Sequence, residues 1–462
     1  MFNKLVREKE SKKMNIKQIT VAALAATTTA TLTAAVPEVS GAAMAQAMDR
    51  LVTITYTLAD APAVVTLDVQ TNYTENGTTK WASIGGAAVA NAQGDVWKKV
   101  ETGSRTITWR PDLSWPDHKI ADGGARAVVT AWALDNTPDY MVVDISAAAQ
   151  PNTQKYYPSA DYLPGGILGN DDYRTTSIVM RKIMAKDIEW TMGSTTLETN
   201  NRKPRETTHK VTLTNNYYVG VFPVTQAQWA LIQTSRPTPA YYNNAAYRAM
   251  RPVEQVSYNE IRNAANSATA NTAYYWPNDP NPGSFLGLLR TKTGIDFDLP
   301  SEAQWEFAAR AGNGDTKWGD GSAIQNTNTD DNLNLLGRYY ANGGKPGTSD
   351  PPASCSADNG TAIVGTYKPN SWGLYDTAGN VWEWCLDWRE DDITSYNGKV
   401  NINPADPSKT LSGAAGSTRI GRGGAWNGAS GYSRPAYRDS DNPASQSLIV
   451  YGFRVVCTAG LN

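Results

Sequence analysis

Residues 373–388 read Gly-Leu-Tyr-Asp-Thr-Ala-Gly-Asn-Val-Trp-Glu-Trp-Cys-Leu-Asp-Trp, and this stretch decides the fold more firmly than any other part of the chain. Three tryptophans stand close to four side chains that carry carboxylate or carboxamide oxygens, with a turn glycine among them. Such a mixture is typical of a buried aromatic cluster around a loop with hard oxygen donors. The stretch predicts a scaffold, whereas it predicts no particular reaction.

Length and charge exclude several classes of protein. The chain has 462 residues, enough for two or more domains with their own cores. A formal charge of -2 and a pI near 5.9 provide no basic surface for nucleic acid or for an anionic membrane. With 15 Trp and 23 Tyr against 6 Phe, the composition indicates a loop-rich globular protein.

The N-terminus has the pattern of an export signal. Lys12, Lys13 and Lys17 precede an uncharged run rich in Ala and Thr at residues 19–36, and small residues follow at 40–47. We therefore predict a signal peptide over residues 1–47 and a mature protein in the periplasm, on the cell surface or outside the cell. A membrane anchor is the alternative, because the run is just long enough to span a bilayer. No later stretch is that apolar, so we expect no membrane span after cleavage.

The chain has three cysteines, Cys355, Cys385 and Cys457. An exported protein enters an oxidising compartment, where cysteines can form disulfides. An odd count allows at most one internal disulfide, and we take Cys385 with Cys457 as the first choice of pair. The sequence alone does not fix this connectivity. The alternative is that all three are buried free thiols that behave as small apolar side chains.

Residues 48–146 have the pattern of an all-β module. Short runs of alternating apolar and polar residues are separated by clusters of Gly, Asn, Asp and Pro, which predicts an antiparallel sandwich of the immunoglobulin or fibronectin type. The polar segment at residues 147–175 is predicted to be a linker. The alternating runs lie at residues 52–58, 64–69, 105–109 and 127–133.

Beyond this segment, three predicted helix starts share one pattern. In each, a hydroxyl residue at the N-cap is followed three residues later by Gln or Glu, so that the two side chains can satisfy each other's backbone amides. The clearest helix is predicted over residues 301–311, with Gly312 placed to end it. The three pairs are Thr225 with Gln228, Ser257 with Glu260, and Ser301 with Gln304.

Seven blocks in this C-terminal part occur in a fixed order. They are Met192-Gly-Ser194, Tyr218-Val-Gly-Val-Phe-Pro-Val-Thr-Gln226, Arg251-Pro-Val253, Leu299-Pro-Ser-Glu-Ala-Gln-Trp-Glu-Phe-Ala-Ala-Arg310, residues 373–388, Arg422-Gly-Gly-Ala-Trp426 and Gly452-Phe-Arg454. Together they resemble the sulfatase-modifying factor, or formylglycine-generating enzyme, domain. The resemblance implies an irregular α+β fold related to C-type lectins over residues 176–459, often stabilised by calcium.

The resemblance also implies where a copper site would stand. Enzymes of this family oxidise a sulfatase cysteine to an aldehyde with oxygen and a copper ion that two cysteines hold. Gly428 and Ser433 occupy the two aligned positions here. Because Gly has no side chain and a serine hydroxyl is a poor ligand for Cu(I), we expect copper chemistry to be absent.

Calcium is the cofactor that the resemblance favours instead. It implies a site at Asp376, Gly379, Val381 and Glu383, with two carboxylates and two backbone carbonyls as ligands. A second, less well-matched site would use Asn342, Gly343 and Asp358. In the alternative without calcium, Asp376 shapes a turn and Glu383 pairs with an arginine.

Several charged residues near these blocks have simpler explanations than catalysis. Buried arginines in loop-rich folds tie carbonyls and carboxylates together, so a structural role is expected for the four near the C-terminus. Glu302 lies in the first turn of its helix, where negative charge suits the helix dipole. The four arginines are Arg422, Arg434, Arg438 and Arg454.

Three functions are consistent with these patterns. The first is an exported family member without catalytic activity, which acts as a calcium-stabilised binding or scaffold module. The second is a formylglycine-generating oxidoreductase with ligands that the pattern does not reveal. The third is a lectin-like protein that binds a carbohydrate or peptide through the surface around Trp426, Tyr432 and Arg434. The partner would be a protein, peptide or glycan rather than nucleic acid.

Overall fold

A computed structural model describes residues 35–194, 205–263, 272–274, 276–343, 359–389, 400–401, 418–445 and 448–461. The described residues from Val36 onward belong to one compact unit. The helices are α1 (Gly86–Val89), α2 (Pro111–Ser114), α3 (Gln226–Ile232), α4 (Phe285–Thr293), α5 (Glu302–Arg310) and α6 (Leu333–Leu336). The strands are β1 (Glu38–Gln46), β2 (Val52–Ala59), β3 (Ala63–Glu75), β4 (Thr78–Ser83), β5 (Gln93–Gly94), β6 (Lys98–Val100), β7 (Gly103–Trp109), β8 (Ala125–Trp132), β9 (Tyr140–Asp144), β10 (Lys155–Tyr157), β11 (Ser177–Ile183), β12 (Glu189–Met192), β13 (His209–Thr212), β14 (Tyr217–Gly220), β15 (Trp382–Trp388), β16 (Val400–Asn401), β17 (Arg419–Arg422), β18 (Asp439–Asp441), β19 (Tyr451–Gly452) and β20 (Val456–Thr458).

The N-terminal part contains two antiparallel sheets around a shared core. One sheet has the order β1-β2-β7-β5, and in the other β3 pairs with β4, β6 and β8. Alternate residues of β2, among them Ile54 and Tyr56, are buried against Val65 and Leu67 of β3 in one hydrophobic cluster. This alternation is the reason that the four predicted runs are strands, since each presents one apolar face to the core. They are now β2, β3, β7 and β8.

The first strand differs from the prediction of a signal peptide over residues 1–47. Residues 38–46 form β1, which pairs antiparallel with β2 from Glu38 to Gln46. Val39 and Met44 of β1 pack against the shared core. The small residues that suggested a cleavage site therefore belong to a paired edge strand. Residues 1–34 lie outside the described part.

The predicted linker at residues 147–175 is also different in the structure. It contains β10, which pairs with β9 in a five-stranded sheet of order β10-β9-β11-β14-β20. Tyr156, Tyr157 and Leu163 are buried at 1–3% exposure, which a solvated linker would not allow. Since β9 also belongs to this sheet, the N-terminal and C-terminal parts meet without an intervening linker. Polar composition misled the prediction because tyrosines can be buried through their rings.

Aromatic stacking connects the two parts. Trp97, from the N-terminal part, stacks on Tyr157 of β10 with ring centroids 5.2 Å apart. The Tyr156 amide donates to the Trp97 carbonyl at 2.8 Å, and the Trp97 indole N–H donates to the Ala92 carbonyl at 3.2 Å. Trp97 is 3% exposed. It therefore acts as a core residue between the two parts.

The predicted helix starts are confirmed in their hydrogen bonds. Ser301 and Gln304 form a reciprocal capping box before α5, and Thr225 and Gln228 do the same before α3. The Glu260 amide donates to the Ser257 hydroxyl at 3.1 Å, although the turn that follows is a five-residue π-helical segment. No helix in the described ranges is long and apolar enough to cross a membrane.

The tryptophan-rich stretch forms a buried strand. β15 lies between β17 and β19 in a four-stranded sheet of order β18-β17-β15-β19, and all seven of its residues are buried. The rings of Trp384 and Tyr451 lie 4.5 Å apart, and Trp382 packs on Tyr437 at 5.7 Å. The predicted aromatic cluster is therefore present. A further sheet, β12-β13-β16, completes the fold.

The predicted disulfide between Cys385 and Cys457 is absent, since both are free buried thiols. Cys385 lies on β15 and packs with Trp305 and Ile420, whereas Cys457 lies on β20 in the largest core cluster. The two strands belong to different sheets, so the side chains fill separate parts of the core. Burial raises the pKa of the Cys457 thiol to about 12, which keeps it protonated and unreactive. Cys355 lies outside the described residues.

We expect Trp97→Ala to destabilise the whole unit, because it removes the ring that joins the two parts. The loss should be about 3–5 kcal/mol in the free energy of unfolding, as for other buried Trp truncations. Chemical denaturation measures it. Trp81→Ala is the matched control, since Trp81 is only partly buried and its main contact is the exposed Arg126 guanidinium, 4.4 Å from the ring centroid. Equal losses in the two variants would contradict the proposed role of Trp97.

Candidate functional site

The candidate site is built around α5 and the strands that face it. This helix is almost fully buried although it carries Glu302, Glu306 and Arg310. Isolated charges are costly to bury, so each requires a partner of opposite sign. The arginines that pair with Glu302 and Glu306 come from β17 and from the loop that follows it, and Arg310 pairs with Glu306 on the same helix. The family resemblance places its copper ligands in that loop.

Glu306 lies at the centre of this arrangement. One carboxylate oxygen pairs with the Arg422 guanidinium, and the other accepts hydrogen bonds from Arg310 Nε at 2.8 Å and from the Gly193 amide at 2.9 Å. Burial alone would raise the pKa of Glu306, but Arg310 and Arg422 outweigh it, and the pKa lies below its ordinary value. Glu306 is therefore a buried carboxylate that stays ionised.

Glu302 and Glu206 form two further buried pairs. Arg438 Nη2 donates to Glu302 at 2.9 Å, and Arg438 Nη1 donates to the Arg205 carbonyl at 2.9 Å. Arg434 donates two hydrogen bonds of 3.0 Å to the two oxygens of Glu206. Paired donors of this kind match the fixed fork of a guanidinium. The arginines hold segments that are more than 100 residues apart in the sequence.

A fourth pair joins Glu383 of the tryptophan-rich strand β15 to Arg454. Arg454 Nη2 donates to Glu383 Oε1 at 2.6 Å and Arg454 Nε donates to Oε2 at 2.5 Å, while the Trp305 indole N–H donates to the same Oε2 at 2.6 Å. The other Arg454 donors reach the Gly220 and Tyr375 carbonyls at 2.9 and 3.0 Å. Both oxygens of Glu383 are thus engaged. The structural role predicted for the C-terminal arginines is confirmed by these contacts.

The predicted first calcium site does not fit these contacts. A guanidinium on a carboxylate repels a second cation there, and Arg454 contacts both oxygens of Glu383. The two Asp376 oxygens accept from the Gly365 amide at 2.8 Å and from Asn380 Nδ2 at 3.2 Å. This is the alternative foreseen without calcium. In the described residues, no three His, Cys, Asp or Glu side chains are grouped to hold a metal ion.

At the predicted second calcium site, the Asn342 side chain also bonds to other protein groups. The Asn342 side chain accepts from the Tyr339 amide at 2.9 Å and donates to the Gly337 carbonyl at 2.9 Å. Gly343 packs so closely on the Arg338 side chain that an added Cβ would lie 2.3 Å from it. Asp358 lies outside the described residues. Turn formation therefore accounts for Asn342.

Ser433 is the last residue of a short 3-10 turn at Ser430–Ser433, and Gly428 lies two residues before that turn begins. A Cβ added at Gly428 would lie 3.2 Å from the Tyr432 ring, so a larger residue requires only a small adjustment there. Ser433 is completely buried, and its hydroxyl has no hydrogen-bond partner. Gly424, with a φ of 78°, places its backbone against Ser433, where a Cβ would lie 2.4 Å from the hydroxyl oxygen. Each of the two aligned positions is thus closely packed by its own neighbours.

The predicted ligand-binding residues differ in exposure. Trp426 is buried at 0% exposure with its ring edge-on to Tyr242, 5.3 Å between centroids. Arg434 is buried in its pair with Glu206, and only Tyr432 is partly accessible. A sugar ring cannot stack on Trp426 in this arrangement. The prediction failed because a tryptophan in a loop gives no signal of its burial.

Sequence reasoning missed three carboxylic acids in this region. Glu206 had no recognisable signal because its partner lies 228 residues away. Glu254 directly follows the Arg251-Pro-Val253 block, and burial raises its pKa to about 8. Asp387 accepts from the Glu302 amide at 2.6 Å, and burial, followed by the charge of Glu302, raises its pKa to about 7.

Comparison with known proteins gives one family over most of this region. The sequence profile of the sulfatase-modifying factor enzyme 1-like domain matches residues 180–459. A serine/threonine-protein kinase pkn1 of Chlamydia pneumoniae is 28% identical over 55% of this chain and 34% of the kinase. A formylglycine-generating enzyme of Streptomyces coelicolor is 36% identical over 35% of this chain and 47% of the enzyme. The chain thus spans less than half the length of these two relatives.

Further similarities cover more of the matching protein. Chaperone protein LppX of Paenibacillus barcinonensis is 29% identical over 46% of this chain and 70% of the chaperone. Among solved structures, Treponema denticola variable protein 1 matches 61% of this chain and 96% of its own, with 25% identity and a TM-score of 0.40. PvdO from Pseudomonas aeruginosa matches 61% and 94%, with 20% identity and a TM-score of 0.41.

We expect Glu306→Gln to cost about 3–5 kcal/mol of stability, because it leaves Arg422 and Arg310 buried beside a neutral amide. Denaturant unfolding at neutral pH measures the change. The matched control is Glu75→Gln, which breaks the half-exposed ion pair with Lys80 and should cost less than about 1 kcal/mol. A Glu306→Gln variant as stable as the control would show that the buried pair contributes little.

The raised pKa of Asp387 predicts a specific pH dependence. An acid with a pKa near 7 in the folded state and about 3.9 unfolded stabilises the protein fully below the lower value. That contribution is lost as the pH rises from about 4 to about 7, so Asp387→Asn should become more stable relative to the parent across this range. The gain should be on the order of 4 kcal/mol at most, because a pKa difference of one corresponds to about 1.4 kcal/mol and the folded and unfolded values differ by about three. Unfolding at several pH values measures it, and Asp60→Asn, at an exposed position, should leave the slope unchanged. A parallel slope in Asp387→Asn would contradict the assignment.

Proposed function

Because the chain belongs to the sulfatase-modifying factor enzyme 1-like family over residues 180–459, we propose that it is a non-catalytic member that acts as an exported binding or scaffold module. The observation that carries this proposal is the pair Gly428 and Ser433. The resemblance aligns them with the two copper-binding cysteines, and Ser433 is the last residue of the short turn at Ser430–Ser433. The proposal concerns the whole protein, whereas family membership concerns the domain.

The chemistry at this pair supports the absence of catalysis. Cu(I) is a soft ion that prefers thiolate ligands, and neither glycine nor a buried serine hydroxyl supplies one. The free cysteines of the described part, Cys385 and Cys457, lie on other strands and are buried. Both have raised pKa values because of burial, which disfavours the thiolate that a metal would require.

The relatives support the use of this domain as a module. Proteins with the names of a kinase and a chaperone are similar to this chain, alongside formylglycine-generating enzymes. One scaffold therefore occurs in proteins of different named functions, as expected where function depends on individual sites. We include in the proposal an immunoglobulin- or fibronectin-like identity for the N-terminal sheets. Stability is attributed to the buried ion pairs rather than to calcium, because the Asp376 and Glu383 carboxylates already have protein partners.

The proposed surface for a partner does not include Trp426 or Arg434, because both are buried. Glycan stacking on Trp426 therefore loses its support. Tyr432 is the one of the three predicted ligand-binding residues that solvent reaches in part. A protein or peptide that contacts the turn around Tyr432 fits this exposure better than a sugar ring. Tyr432→Ala should then weaken binding in any pull-down that identifies a partner.

A direct assay tests the absence of catalysis. The protein is incubated with copper, oxygen and a cysteine-containing sulfatase peptide, and mass spectrometry detects conversion of the cysteine to the aldehyde. We expect no conversion above a reaction without protein. Aldehyde formation by the parent chain would contradict the proposal and favour the oxidoreductase alternative.

The double variant Gly428→Cys with Ser433→Cys is the matched comparison. The structure leaves room for a side chain at residue 428 after a small movement of the Tyr432 ring, 3.2 Å away. We expect this variant to bind Cu(I) in competition with a colorimetric chelator, whereas the parent chain should not. Equal Cu(I) affinity of the two proteins would show that other groups bind copper.

A further inference from the structure

The pairing of β1 limits where a leader peptide can be removed. Ala43-Met44-Ala45 has small residues at its first and third positions, the pattern that precedes a signal peptidase site. A cut after Ala45 would leave only Gln46 of the strand β1. β2, whose inward residues belong to the core, would then become an open sheet edge. Open edges of this kind invite pairing with other chains.

The small residues of β1 have a structural explanation. Gly41 has a φ of 61°, and the register of β1 against β2 shifts between Ser40 and Ala43. A bulge with a left-handed glycine produces such a shift. Met44 then returns to the core, while Ala43 and Ala45 point outwards and are exposed. The segment therefore needs its glycine for the strand, whether or not a peptidase recognises the small residues around it.

A second small-residue pattern lies upstream of β1. Thr33-Ala34-Ala35 has small residues at its first and third positions, and it directly follows the uncharged residues 19–32. That run has 14 residues, which is within the length of ~7–15 usual for the apolar part of a signal peptide. Val36 is 79% exposed and precedes the first paired residue, Glu38. A cut at this point leaves the sheet intact.

We propose that the leader is removed between Ala35 and Val36, so that the mature chain begins at Val36 and keeps β1. Water hydrolyses this peptide bond, which leaves a carboxylate on Ala35 and an α-amino group on Val36. The inference rests on the export that forms part of the proposed function. It does not depend on the absence of catalysis, so aldehyde formation in the assay above would leave it unaffected.

The full chain, produced in a bacterium with a general secretion system, provides the test. N-terminal sequencing and intact mass of the exported protein should identify Val36 as the first residue. A first residue between 39 and 48 would overturn the proposal. A chain that keeps residues 1–35, whether retained in the membrane or in the cytoplasm, would overturn it as well.

Two matched substitutions locate the site independently. Ala35→Arg places a large charged side chain next to the proposed bond, whereas Ala45→Arg places the same side chain on an exposed position of β1. We expect the full-length precursor to accumulate in the first variant, and processing in the second to match the parent chain. The reverse result, with Ala45→Arg blocking cleavage, would overturn the proposal even if the mature protein had been trimmed afterwards by other proteases.

Discussion

The ion pair between Glu383 and Arg454 is the constraint on which the C-terminal domain depends. Glu383 lies on β15, and the Trp305 indole of α5 donates to one of the two Glu383 oxygens that Arg454 also contacts. The remaining Arg454 donors hold the Gly220 and Tyr375 carbonyls, so one guanidinium joins four separate segments. A buried pair is expensive to desolvate, and it is favourable only when all of its polar atoms have partners. Here that condition is met.

Buried pairs of a glutamate and an arginine also occur around α5. Glu302, Glu306 and Glu206 each hold an arginine from the loop region after β17 or from β17 itself. Long loops with little regular structure cannot satisfy their carbonyls in ladders, and arginine provides five donors in one rigid group. Removal of a single partner would leave a buried charge without compensation. The fold is therefore held by a few specific contacts as well as by its apolar clusters.

The sequence predicted those features that depend on local patterns. Capping boxes at Ser301 and Thr225, the alternation of β2 and the aromatic character of β15 all involve neighbours within a few residues. Features that depend on distant partners were predicted less well. The pairing of β10 with β9 turned a polar segment into part of a sheet, and Glu206 meets Arg434 across 228 residues. Neither contact leaves a periodic mark in the sequence.

In the candidate site, too, the local features could be predicted and the contacts with distant residues could not. Gly428 and Ser433 could be located by order along the chain, but the burial of Trp426 depends on Tyr242, almost two hundred residues earlier. Calcium ligands were expected from the family resemblance, and the residues that it names are present. What the sequence could not provide was the direction of Arg454, which places a guanidinium against the Glu383 carboxylate. Competition between a guanidinium and an ion for one carboxylate is decided by tertiary contacts.

The thermal unfolding midpoint with and without calcium tests this account most directly. The purified protein is treated with a chelator, dialysed, and melted before and after calcium is restored, with elemental analysis of the untreated sample. A ligand that binds only the native state must raise the midpoint. If Arg454 holds Glu383, the midpoint stays the same and no stoichiometric calcium is found. A midpoint that rises with calcium, together with one bound ion per chain, would contradict the account.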